Sequence, residues 1–106
     1  MGFRLVSTSG GQSFELREGA PLVVGRASTS DLPVIDPTIS RRHAEITARG
    51  TAVQVRDLGS SNGTFVNGAR VEEATLAAGD TVTFGKVPFR IAPITQPIVP
   101  PDLAAT

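Results

Sequence analysis

Apolar side chains in this chain recur at every second position, and almost nowhere at the spacing of a helix. Residues 3–6, 14–16, 22–24, 44–46, 53–55, 82–84 and 89–91 form short alternating or continuous apolar runs. That period sends successive side chains to opposite faces of an extended strand, so each run has one face to bury. Turn signals punctuate the runs: Gly10-Gly11, Glu18-Gly19, Arg49-Gly50, Asn62-Gly63, Asn67-Gly68 and Gly79-Asp80. Short strands at spacings of ~8–12 residues with Gly-containing turns predict an all-β sandwich or barrel. Eleven Gly and eight Pro fit tight hairpins and disfavour long helices. Residues 71–78 are helix-friendly in composition, but the stretch is short and is read as strand and loop.

With 106 residues the chain is the size of one domain. Hydrophobic residues make up 40% of it, enough for one small core. Ten basic and ten acidic side chains cancel. That balance argues against broad electrostatic binding to nucleic acid or to an anionic membrane, but leaves room for a local basic site. There is no Cys and one His, so neither a disulfide framework nor a zinc site is expected, and no cofactor is called for. No apolar run approaches the ~18–20 residues that span a bilayer. The first residues lack the apolar core of a secretory signal, and Val6 stands where myristoylation needs Ser or Thr. The compartment expected is the cytoplasm.

The alternation stops after Ala92. Pro93, Pro97, Pro100 and Pro101 then follow within nine residues, the composition of an extended linker. The domain is therefore placed at 1–92 and a Pro-rich tail at 93–106, of the kind that joins a domain to something else in a larger protein.

Three polar clusters fall between the apolar runs. The first is Gly25-Arg26, directly after a buried-looking run. The second holds Thr38, Ser40, Arg41, Arg42 and His43. The third runs from Asp57 through Gly59, Ser60, Ser61, Asn62 and Gly63 to Thr64. Each alone reads as a solvated loop. In this order they resemble the forkhead-associated (FHA) family, whose pattern is Gly-Arg, then Ser-x-x-His, then Asn-Gly. The flanking Val23-Val24 before Gly25, Ile39 and Ala44 around the second cluster, and Asn67-Gly68 and Gly79-Asp80 later in the chain also look like that family.

The resemblance implies a β-sandwich of two mainly antiparallel sheets with ligand-binding loops at one end. It further implies a non-catalytic module that binds phosphothreonine proteins or peptides downstream of a Ser/Thr protein kinase. By resemblance, Arg26 anchors the phosphate, the Ser40 and Ser61 hydroxyls each donate to a phosphate oxygen, and Arg41 adds a second charge. Asn62 bonds the backbone of the bound peptide. Gly25, His43 and Gly63 shape the loops.

The chemistry of the residues agrees with those roles. A guanidinium offers a planar fork to two phosphate oxygens. An Asn side chain carries both a donor and an acceptor, which suits a peptide group. Gly25 and Gly63 permit conformations that a Cβ would obstruct. A preference for phosphothreonine over phosphoserine is also implied. Burying one methyl gives ~0.8 kcal/mol, about fourfold, so restriction of the β-branched rotamers must help. The family also reads the residue three after the phosphothreonine; Thr38 and residues 28–31 are candidates for these pockets.

Other readings are weaker. Ser40 and His43 resemble a nucleophile and its base, but three residues apart on an extended segment they point to opposite faces. Gly59, Ser61 and Gly63 match a hydrolase elbow, yet that elbow needs a strand–turn–helix setting in a far larger sheet. Nucleic-acid binding through Arg41 and Arg42 is disfavoured by zero net charge and five Phe, all in core-like positions. A phosphate-independent interaction domain with the same fold is the alternative that remains. The molecule is expected to be a monomer. Thr95, with Ile98 three positions on, has the form of a ligand for this family; as a linker residue it has no role.

Overall fold

A computed structural model describes residues 2–8, 12–16 and 18–94; Thr95 and most of the Pro-rich stretch lie outside them. These residues form strands and no helix. In chain order the strands are β1 (Gly2–Ser7), β2 (Ser13–Leu16), β3 (Leu22–Gly25), β4 (Leu32–Pro33), β5 (Ala44–Arg49) and β6 (Ala52–Asp57). They continue with β7 (Thr64–Val66), β8 (Ala69–Val71), β9 (Glu73–Leu76), β10 (Thr81–Phe84) and β11 (Val87–Ile94). One sheet has the order β2-β1-β11-β10-β7-β8, and the other β4-β3-β5-β6-β9. Every pairing between these strands is antiparallel except that of β3 with β4, and an isolated parallel bridge joins Glu18 to Ala48. The chain is therefore the all-β sandwich expected.

Alternation decides which face of each sheet turns inward. Phe3 and Leu5 of β1, Val82 and Phe84 of β10, and Phe89 and Ile91 of β11 are buried, with Arg4 and Arg90 outside. From the second sheet come Val24, Ile46, Val53, Val55 and Leu76. Phe84 lies at the centre, its ring 6.0 Å from that of Phe89 and nearly perpendicular to the His43 ring at 5.8 Å. Phe14 and Phe65 are only half-buried, so two of the five aromatics are not full core residues as expected.

Residues 69–76 are strand, in two pieces belonging to different sheets. β8 pairs with β7 and β9 with β6, so the chain crosses the sandwich at Glu72. β11 runs on past Ala92: Pro93 faces Phe3, and Ile94 faces Gly2. Pro is tolerated there because β10 pairs with β11 only as far as Arg90, leaving that flank of the strand without a ladder to break. At ~3.4 Å per residue, β11 carries the chain about 24 Å from its start, where the loops described below gather, to its end beside Gly2.

Phe84 is fully buried, and Phe84→Ala should lower the unfolding free energy by about 3–5 kcal/mol. The check is a urea titration whose midpoint falls while its slope stays constant.

Candidate functional site

The site is built where four connections meet at one end of the sandwich: residues 26–31, 34–43, 58–63 and 85–86. Their backbones are tied directly to one another. Arg26 N donates to Ser40 O at 2.9 Å, and Gly85 N to Gly63 O at 2.9 Å. Gly25 lies so close to the second loop that a Cβ would sit 1.9 Å from Arg41 O, so no other residue fits.

His43 is the bond between loops. It is fully buried, and its Nδ1 accepts from Ser40 N at 3.1 Å while Nε2 faces Gly63 O at 2.8 Å. An amide can only donate and a carbonyl only accept, so the partners assign the proton to Nε2. Residues 40–43 form a turn, which corrects the extended geometry expected for this segment. The ring closes that turn on the Ser40 backbone, and the Ser40 hydroxyl bonds elsewhere. Ser40 Oγ accepts from Ser61 N at 3.1 Å, leaving its own proton directed to other acceptors. The Asn62 side-chain amide donates to Thr38 O at 2.8 Å. Thr38 Oγ1 donates to Asp36 and accepts from Lys86 N.

Asp57 organises the third loop. Its carboxylate accepts from Gly59 N and Ser60 N, each at 3.0 Å, from Thr64 Oγ1 at 2.7 Å, and from Ser60 Oγ. Ser60 Oγ in turn accepts from Gly63 N at 3.0 Å. Burial pushes the Asp57 carboxyl up, but the hydrogen bonds from Ser60, Thr64 and Gly59 outweigh it and hold it below the ordinary aspartate range. Asp36 is held down as well, by the Thr38 hydroxyl and amide.

The expected residues sort into two layers. Gly25, His43 and Gly63 are buried and support the loops; Arg26, Arg41, Ser61 and Asn62 are exposed and Ser40 half-exposed above them. Asp31, Asp36 and Asp57 all turn onto backbone amides or hydroxyls and pair with none of the arginines. The Arg26 and Arg41 guanidinium groups accordingly carry no hydrogen bond or ion pair to any described residue. The arrangement presents two unneutralised cations, a free hydroxyl proton and a peptide-like amide on one rigid rim: it can hold a multiply charged oxyanion and an adjoining polar chain. Arg42 instead lines a shallow cleft of about 150 Å³ with Val23, Ala27, Thr29, Ser30 and Asp31. Among the described residues no cluster of His, Asp and Glu could hold a metal ion.

Sequence reasoning did not single out Asp57, Ser60 and Thr64 as a unit. The available signal was two hydroxyl residues that follow Asp57 at short spacing and open a strand, a capping pattern more often read at helix starts.

A family model described as FHA domain matches residues 22–85. The chain is 49% identical over 73 residues to the glycogen accumulation regulator GarA of Mycolicibacterium smegmatis, spanning 69% of this chain and 45% of that protein. It thus covers less than half the length of this curated relative. The FHA domain of CT664 from Chlamydia trachomatis superposes with a TM-score of 0.83 at 32% identity, over 90% of this chain and all of that one. A further FHA structure, solved for phosphothreonine-dependent FHA domain interactions, gives a TM-score of 0.81 at 34% identity, over 92% of this chain and 100% of that one.

Two outcomes are expected. His43→Ala removes two buried hydrogen bonds and should cost about 1–3 kcal/mol, seen as a lowered melting temperature with faster exchange of the Ser40 amide. An unchanged melting temperature would show that the imidazole does not hold the loops. Asp57→Asn should be less stable than the parent near neutral pH. A carboxyl depressed in the folded state stabilises above its unfolded value of ~3.9 and loses that contribution as pH falls through the folded value. The gap between parent and variant should therefore close in urea titrations carried below about pH 4.

Proposed function

The chain belongs to the FHA-domain family, and from that premise we propose that it is a non-catalytic module that binds phosphothreonine-containing proteins or peptides. The observation that supports this most is the pair of unneutralised guanidinium groups on a latched rim, with every nearby carboxylate committed to the protein's own backbone and hydroxyls. Arg26 is the main phosphate anchor, its backbone held by Ser40 O. Ser40 donates its free hydroxyl proton to a second phosphate oxygen, Ser61 Oγ to another, and Arg41 supplies further charge. Asn62 reads the peptide backbone. One of its N–H groups is bound to Thr38 O, so its carbonyl oxygen and remaining N–H face the ligand.

The module acts downstream of a Ser/Thr protein kinase, as a cytoplasmic monomer without cofactor or nucleic-acid partner. The alternative, an interaction domain that ignores phosphate, leaves the exposed Arg26 without a task. Matched peptides carrying threonine or phosphothreonine separate the two by calorimetric titration: equal affinities would overturn the proposal.

Loss of a hydrogen bond to a charged group costs ~1.5–3 kcal/mol, and a bidentate anchor loses more. Arg26→Ala should therefore weaken phosphopeptide binding by at least ~10–100-fold with melting temperature unchanged. Ser40→Ala and Asn62→Ala should weaken it less. Full affinity in a folded Arg26→Ala protein would remove Arg26 from the site.

A further inference from the structure

Arg70 projects from β8, the edge strand of the six-stranded sheet, and lies across Gly63. A Cβ built on Gly63 would meet Arg70 Nε at 2.8 Å, Cζ at 3.0 Å and Cδ at 3.3 Å, so the guanidinium end of the side chain rests on the glycine. Gly63 is doubly constrained, since its φ of 90° is itself a glycine conformation. Arg70 is exposed and makes no hydrogen bond or ion pair to any described residue. Arg56 of β6, also exposed, borders the same loop, lining a cleft with Asp57, Gly59, Glu72 and Glu73. Arg70 is the strand arginine whose guanidinium end lies against Gly63, next to Ser61 and Asn62.

We propose that Arg70 is a specificity residue that binds a second anionic group of the ligand, an acidic side chain or a second phosphate, beyond the phosphothreonine. The proposal rests on the phosphopeptide reading and extends it. Packing against Gly63 restricts the stem, so the planar fork is presented with little rotamer freedom left to lose. Gly63 is two residues past Ser61, and two extended residues span at most ~7 Å. The second anion accordingly falls within a few ligand residues of the phosphothreonine. Asp36 and Asp57 are committed to backbone and hydroxyl donors, and Glu72 and Glu73, which line a cleft with Asp57 and Gly59, make no ion pair with the fork.

The test is a phosphothreonine peptide in an otherwise neutral background, with Glu placed in turn at each of the four positions on either side. Affinities are measured for the parent, Arg70→Met and Arg70→Lys. Met retains the aliphatic cover over Gly63 and lacks the charge. The expected result is one or two adjacent positions, on a single side of the phosphothreonine, where Glu tightens binding about 3–5-fold, the size of a well-formed exposed ion pair. Arg70→Met should erase that gain and leave the neutral peptide unchanged; Arg70→Lys should keep part of it. Phosphoserine in place of Glu at the responsive position identifies the source. A larger gain points to a second phosphate, and an equal one to an acidic side chain. Phosphate-dependent binding that is indifferent to Glu everywhere, or an Arg70→Met loss that is equal for all peptides, overturns this inference alone. If no phosphothreonine peptide binds the folded parent, the reading beneath it falls too.

Discussion

A single buried imidazole, held between an amide of one loop and a carbonyl of another, is the interaction on which the rim of this sandwich depends. Ser40 N and Gly63 O are both main-chain groups, so the position of each loop is defined through His43 independently of the side chains above. The ring also stands edge-on to Phe84 at the centre of the core. Loop geometry is in this way referred to the packing of the sheets. Removing water from the imidazole makes its two hydrogen bonds obligatory, since an unpaired polar group there costs more than the bond contributes.

The electrostatics of the rim follow from how its carboxylates are used. Asp57, Asp36 and Asp31 each sit within reach of arginine-bearing loops, yet each is taken up by backbone amides and hydroxyls. A carboxylate that accepts several such bonds resists protonation and is fixed in place. The same commitment leaves Arg26, Arg41 and Arg70 without internal partners. The carboxylates keep their charge, but the guanidinium donors of Arg26 and Arg41 are left free to meet an outside oxyanion.

Much of this was legible before any coordinates. The two-residue period marked β1, β6, β10 and β11 because their inner faces are strictly alternating. The Gly-Arg, Ser-x-x-His and Asn-Gly clusters pointed to one site through resemblance, and the loops that hold them do converge. Less legible were features whose cause is distant in sequence. Residues 40–43 read as extended, but the long-range bond from His43 to Gly63 bends them into a turn. The passage of residues 69–76 from one sheet to the other has no local signature, because β8 and β9 are each defined by the partner they pair with. Pairing to β1 likewise carries β11 through Pro93, where composition alone suggests a linker.

The fold class, the inward faces of most strands and the residue types on the rim are readable from the chain alone, because side-chain periodicity and turn chemistry act over a few residues. Tertiary structure alone decided the rest. It placed Arg26 and Ser40 against each other across a loop, turned Asp57 onto the Ser60 and Thr64 hydroxyls, and laid Arg70 over Gly63. These contacts join residues that no local rule links, and each requires the two sheets to be packed first, since only the packed sandwich brings its four connections to one end.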